Sequence, residues 1–159
     1  MLRSAAVILA LVASLSANAA SSPAKSDTKT IATNVMAEAE KVVVALLDEY
    51  IKAYNGHDLT KWERTYHFPH YRLASGKMTV IETAGLQDAS KVWPTDSEAH
   101  HGAWDRRRIV EASPDKIHVN TKYIVYRADG TEMASFHSLF ILTKENGRWG
   151  VKMRSSFAP

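Results

Sequence analysis

Between residues 34 and 55 apolar positions recur with the period of a helix. They are Val35, Ala39, Val42, Val43, Leu46, Leu47, Tyr50, Ile51 and Tyr54, and charged residues such as Glu38, Lys41, Asp48 and Lys52 lie mostly between them. Thr33 or Asn34 suits the start of this helix and Gly56 its end. Asp58 follows at once, and its carboxylate suits the N-cap of a second short helix, LTKWERTY. After Tyr66 the period becomes that of strands. HYRLASGKMTVIE reads as a hairpin turning at Ser75–Gly76, GLQDASKVW as a short helix ended by Pro94, and TDSEAHHG as a polar loop. From Ala103 onward an antiparallel meander is expected. Its strands are separated by SPD, Asp129–Gly130 and Asn146–Gly147, and the last two pairs are strong hairpin signals.

The turns assign faces. A turn over Ala128–Thr131 sets Arg127 opposite Glu132 and Tyr123 opposite Phe136. A turn at Asn146–Gly147 sets Leu142 opposite Val151 and Phe136 opposite Phe157. Val119, Thr121, Tyr123, Phe136, Phe140, Leu142, Val151 and Met153 then share a nearly apolar face, which should meet the long helix. The other face is mixed. It carries Ile124, Tyr126, Leu139 and Ile141 among Lys122, Arg154 and Ser156, and it suits a symmetric partner surface, hence a homodimer. A one-residue bulge would reverse the placement of Arg154 and Ser156.

The chain start changes the compartment. Arg3, the run AAVILALVASL and the small-x-small site Ala17–Ala19 have the order of a secretory signal peptide. The run is short of the ~20 apolar residues of a membrane span. The expected organisation is a signal peptide at 1–19, a flexible linker at 20–32 and one domain at 33–159. The mature protein is expected in the periplasm or outside the cell, with no membrane insertion after cleavage. The chain has no cysteine, which excludes a lipid-anchor motif, a disulfide framework and a thiol nucleophile. A formal charge of +3, with both signs interspersed, gives no basic arm or phosphate loop, so no nucleic-acid partner is expected.

A long helix, a short helix, a hairpin, another short helix and an antiparallel meander make an α+β chain. This order, with YNGHDLTKW, HFPHYRLASGK, SPDKIHVNTKYIVYRADG and GRWGVKMRSSFA, resembles the nuclear-transport-factor-2-like (NTF2-like) superfamily over residues 34–158, in particular its bacterial SnoaL-like branch. The resemblance implies a cone-like curved sheet, helices closing over an apolar pocket for a small hydrophobic molecule, and often a dimer through the outer sheet face. It implies no particular reaction, since the superfamily holds isomerases, cyclases, dehydratases and binding domains.

The stretch YHFPHYR carries the densest candidate chemistry. Pro69 cannot donate to a ladder, so the segment should enter the sheet at an edge or a strand start. Alternation then puts His70 and Arg72 on one side. There they can be a proton-transfer group and its charge-stabilising partner, or simply a hydrogen-bonded strand edge. Asp105 is the second candidate for the proton, unless Arg106, Arg107 or Arg154 pairs with it. Tyr66, His67, Arg72 and Trp104 are the candidate ligand contacts, with Trp62 and Trp93 as core or pocket wall. His67-x-x-His70 lies on a strand and His100–His101 in a polar loop, so neither converges on a metal. No metal and no cofactor is expected. The residues leave two function classes open: a non-catalytic pocket for a small hydrophobic ligand or a domain used only for association, and an acid–base enzyme acting on an apolar carbonyl compound.

Overall fold

The computed structural model describes residues 25–158, so the expected signal peptide at 1–19 lies outside the described residues. Helix α1 spans Lys25–Asn55, α2 Leu59–Arg64 and α3 Ala89–Val92. The strands are β1 Tyr66–Ala74, β2 Lys77–Ile81, β3 His101–Ala112, β4 Lys116–Tyr126, β5 Glu132–Glu145 and β6 Arg148–Ser156. Helix α1 begins at Lys25 rather than at residue 34, so residues 25–32, expected as a flexible linker, are helical. No glycine or proline interrupts 25–55, so no breaker stops the helix ahead of residue 34, and residues 30–34 are exposed. No helix among the described residues is long and apolar enough to cross a membrane.

The buried stripe of α1 is Ala39, Val43, Leu46, Leu47, Tyr50 and Ala53, the spacing the pattern requires. Asp58 caps α2, its carboxylate accepting from the Lys61 backbone N–H at 2.9 Å. Asp88 caps α3 in the same way through the Ser90 N–H at 3.0 Å.

One six-stranded sheet has the order β2-β1-β6-β5-β4-β3. All neighbours are antiparallel except β1 and β6, which run parallel. The α1 stripe meets the sheet through Ile117, Val119, Phe140, Leu142 and Val151, each at most 1 % exposed. Ser75 and Gly76, with φ of 49° and 74°, make the β1–β2 turn, and Asn146 and Gly147, at 52° and 79°, make the β5–β6 turn. These positive φ values are the conformations that two-residue hairpins need.

The expected pairs Tyr123–Phe136 and Leu142–Val151 are both present. At the β4–β5 end the detail differs. Arg127 meets Thr131 through its N–H at 2.9 Å, and Tyr126 rather than Arg127 stands opposite Glu132. The register shift between Val125 and Tyr126 restores the core pairing.

The larger difference is in β6. Leu142 pairs with Val151, but Ile141 pairs with Met153 and Phe140 with Arg154, so Lys152 is an extra residue. Its ammonium is held on the Phe68 carbonyl at 3.3 Å and on Glu145 at 3.3 Å. The bulge overturns the strict alternation. Arg154 and Ser156 move to the face that meets α1, and Met153 and Ser155 take their places on the outer face. The parallel pairing with β1 shifts at the same level, between Tyr66–Val151 and Tyr71–Met153, and Pro69 lies within that interval.

Candidate aromatic and cationic chamber

Between α1, α2, α3 and the concave face of the sheet lies a cluster of aromatic rings. Tyr50 touches Trp62, Trp104 and Phe140 at centroid distances of 5.4, 6.0 and 5.5 Å. Tyr54 touches Trp62, Trp93 and Tyr123 at 5.3, 5.5 and 6.3 Å. Each ring arrives for a local reason. Tyr50 and Tyr54 are one helical turn apart on α1. Trp62 follows the Asp58 cap, Trp93 ends α3, and Tyr123 belongs to the inward parity of β4. Tyr123 lies over Gly102, where any Cβ would fall 1.8 Å from its hydroxyl oxygen. Gly102 is held in turn by Asn55, whose side chain donates to its carbonyl and accepts from its N–H, both at 2.9 Å.

Arg154 enters this cluster because of the Lys152 bulge. Its guanidinium donates to the Tyr50 hydroxyl at 3.3 Å and to Ser156 Oγ at 3.0 Å, and its carbon lies 5.7 Å from the Phe140 ring centroid. Among the described residues it forms no ion pair with a carboxylate. Arg72 pairs with Arg154 across the parallel strands and so faces the same side, within electrostatic range of Tyr50, Tyr54 and Tyr66. Burial raises the Tyr54, Tyr66 and Tyr123 hydroxyls above their ordinary value, so all three keep their protons at neutral pH. Trp62 Nε1, Trp93 Nε1, Tyr123 Oη and Arg154 Nε are buried without a hydrogen-bond partner.

The residues singled out from sequence separate into two groups. His70, Arg72, Tyr66 and Trp104 all lie on the concave side of the sheet, with Trp104 reaching the cluster through Tyr50 and Phe140. His70 is 2 % exposed and stacks on Tyr66 at 3.9 Å and 6°. Its Nδ1 lies 3.0 Å from the Val151 carbonyl, which can only accept, so Nδ1 carries the proton. Burial lowers its pKa to about 4, leaving it neutral at physiological pH. Trp104 donates from Nε1 to the Leu47 carbonyl at 3.0 Å.

His67 and Asp105 stand elsewhere. His67 packs against Gly150 with Nδ1 2.9 Å from Thr143 Oγ1, beside Glu145. Successive side chains alternate, so the parity that turns Tyr66 inward turns His67 away. Asp105 occupies the register shift between Trp104 and Arg106 and pairs with Lys122 at 3.3 Å, not with an arginine. That pair is too exposed, at 45 % and 31 %, to act as a dry proton acceptor. Among the described residues no group of three metal-ligating side chains converges.

Two grooves flank the chamber. One of about 530 Å³ lies between α1 and β3 and includes Trp104 and Asp105. The other, of about 790 Å³, includes Leu46, Tyr66, Phe68 and Trp149. Neither contains Arg154. The guanidinium and the unpartnered donors, rather than groove size, therefore locate the candidate site. Sequence reasoning missed Arg154, Tyr50, Tyr54 and Tyr123 as a group. It left the placement of Arg154 open to a one-residue bulge, and no local residue pattern marks where that bulge falls.

This architecture is NTF2-like, an α+β fold with a curved, unclosed sheet. An NTF2-like protein of unknown function from Shewanella oneidensis MR-1 superposes with a TM-score of 0.61 at 20 % identity, over 73 % of this chain and 96 % of that one. A ketosteroid isomerase-like protein from Erwinia carotovora atroseptica gives 0.53 at 22 %, over 75 % and 96 %. The association domain of C. elegans CaMKII gives 0.61 at 12 %, over 79 % and 98 %. Neither the protein-family models nor the curated protein sequences give a match.

Proposed function

We propose that the protein is an exported NTF2-like domain of the SnoaL-like branch whose concave chamber binds a small hydrophobic ligand without catalysis. The observation that carries this reading is the aromatic cluster with unpartnered polar atoms among its rings. Such a surface offers contact area and a few orienting groups, which is the composition of a ligand site. The proton-transfer groups are poorly set for chemistry. His70 is neutral and committed to a backbone carbonyl, and Asp105 is outside. Export rests on Arg3, the apolar run and Ala17–Ala19.

The likeness to a ketosteroid isomerase-like protein, together with His70 and Arg72 on one face, favours acid–base chemistry on an apolar carbonyl compound as the second reading. One variant separates the two. His70→Ala should lower the melting temperature and leave affinity for a panel of hydrophobic carbonyl compounds within about threefold. Turnover of a panel member that falls about 10²–10⁴-fold in His70→Ala would replace the binding reading with the enzymatic one.

We also propose a homodimer through the outer sheet face. The bulge places Met153 beside Ile141 and Leu139 there, while Arg154 is withdrawn, so the face is more apolar than strict alternation implies. Leu139→Arg should convert the dimer to monomers in sedimentation velocity runs, because it would bury an unpaired charge. Sedimentation of the unaltered chain as a monomer at micromolar concentration would reject the interface.

A further inference from the structure

We propose that the ligand of the chamber is an anion, a flat apolar molecule carrying a carboxylate that seats on Arg154. This deepens the binding reading above and rests on it. The argument begins from the chemistry of the unpartnered atoms. Indole Nε1–H and guanidinium Nε–H groups donate and cannot accept. Three of the four unpartnered atoms in the chamber, those of Trp62, Trp93 and Arg154, are of this kind, and the fourth, Tyr123 Oη, is a protonated hydroxyl that can donate. A molecule that satisfies them has to supply acceptors.

Charge points the same way. Arg72 and Arg154 face the chamber from adjacent strands. Two acids on the elements around the cluster are engaged elsewhere. Glu63 accepts from the Gly85 N–H at 2.7 Å and from Gln87 Nε2 at 3.0 Å, and Asp105 pairs with Lys122. Trp62 is 6 % exposed, so its indole N–H has no recourse to bulk water. A half-buried guanidinium with an enclosed, unpartnered Nε–H and no carboxylate gains from an anion that joins it. A planar carboxylate matches the guanidinium fork, and charge-assisted bonds are strong in a poorly solvated site. The rings of Tyr54, Trp62 and Trp93 supply flat surfaces for the body of the same molecule.

The test compares two near-isosteric probes, the anion naphthalene-2-acetate and the neutral naphthalene-2-acetamide, titrated into the mature chain at pH 7 by calorimetry. The acetate is expected to bind at least about tenfold more tightly. In Arg154→Gln that preference should fall to near unity while affinity for the acetamide persists. Arg72→Gln, whose strand position is less enclosed, should narrow the preference in the same direction. If Arg154→Gln does not fold, the preference in the unaltered chain still decides. An acetamide that binds as tightly as the acetate would overturn the anion and leave the hydrophobic-ligand reading standing. Binding of neither probe, nor of any carbonyl compound in the panel, would overturn both. An acetate preference that survives unchanged in a folded Arg154→Gln would overturn the assignment to Arg154.

Discussion

As the pH falls from 6.5 to about 4, the protein should lose roughly 3 kcal/mol of stability through His70 alone. The side chain is 2 % exposed, and burial is the main cause of its lowered pKa. The Val151 carbonyl opposes the shift, while Arg154, Arg72 and Lys152 add to it. An unfolded chain binds a proton here near pH 6.5, and the folded chain does so only near pH 4. The contribution of the neutral, buried imidazole is therefore complete above 6.5. It is lost progressively down to about 4 and changes no further below that. Urea unfolding at several pH values between 7 and 4 measures it directly. His70→Gln keeps a donor for Val151 and cannot titrate, so its stability should fall less over the same range. Parallel curves for the two proteins would show that His70 titrates normally and is not enclosed.

Phe140→Ala should cost about 3–5 kcal/mol at neutral pH. Phe140 is 1 % exposed and holds edge-to-face contacts with Tyr50 at 88° and Trp104 at 84°. It also supports the Arg154 guanidinium. Removing the ring leaves a cavity under α1 and takes away the face on which the cation rests. Phe140→Leu restores volume but not the ring, so it should recover stability more fully than it recovers binding in the chamber. Urea unfolding of both variants checks this. A loss below about 1 kcal/mol for Phe140→Ala would mean that α1 does not close on the sheet at this point.

Local chemistry was the legible part of the sequence. The α1 stripe, the Asp58 cap and the turns at Ser75–Gly76 and Asn146–Gly147 depend on residues a few positions apart, and each has the expected form. The Tyr123–Phe136 and Leu142–Val151 pairs followed from those turns. The site was less legible because it depends on a count that no local signal fixes. Lys152 is an ordinary strand residue until the Phe68 carbonyl and Glu145 hold it out of the ladder. Those partners belong to two other strands. The start of α1 was missed for the opposite reason. Residues 30–34 continue the helix with their side chains exposed, so hydrophobic periodicity carries no trace of this part.

The Lys152 bulge also governs how this chain has to be compared with its structural neighbours. The charge in the chamber is written in the number of residues between Val151 and Arg154, not in the identity of any one of them. A homologous strand with an arginine at the same distance from Trp149, but no extra residue, would turn that arginine toward the outer face and a neutral neighbour inward. Two chains could then agree letter for letter at this column and present opposite interiors. Alignments across β6 need to be phased by the pairing with β5, with Phe140 as the reference, before an arginine there is read as shared.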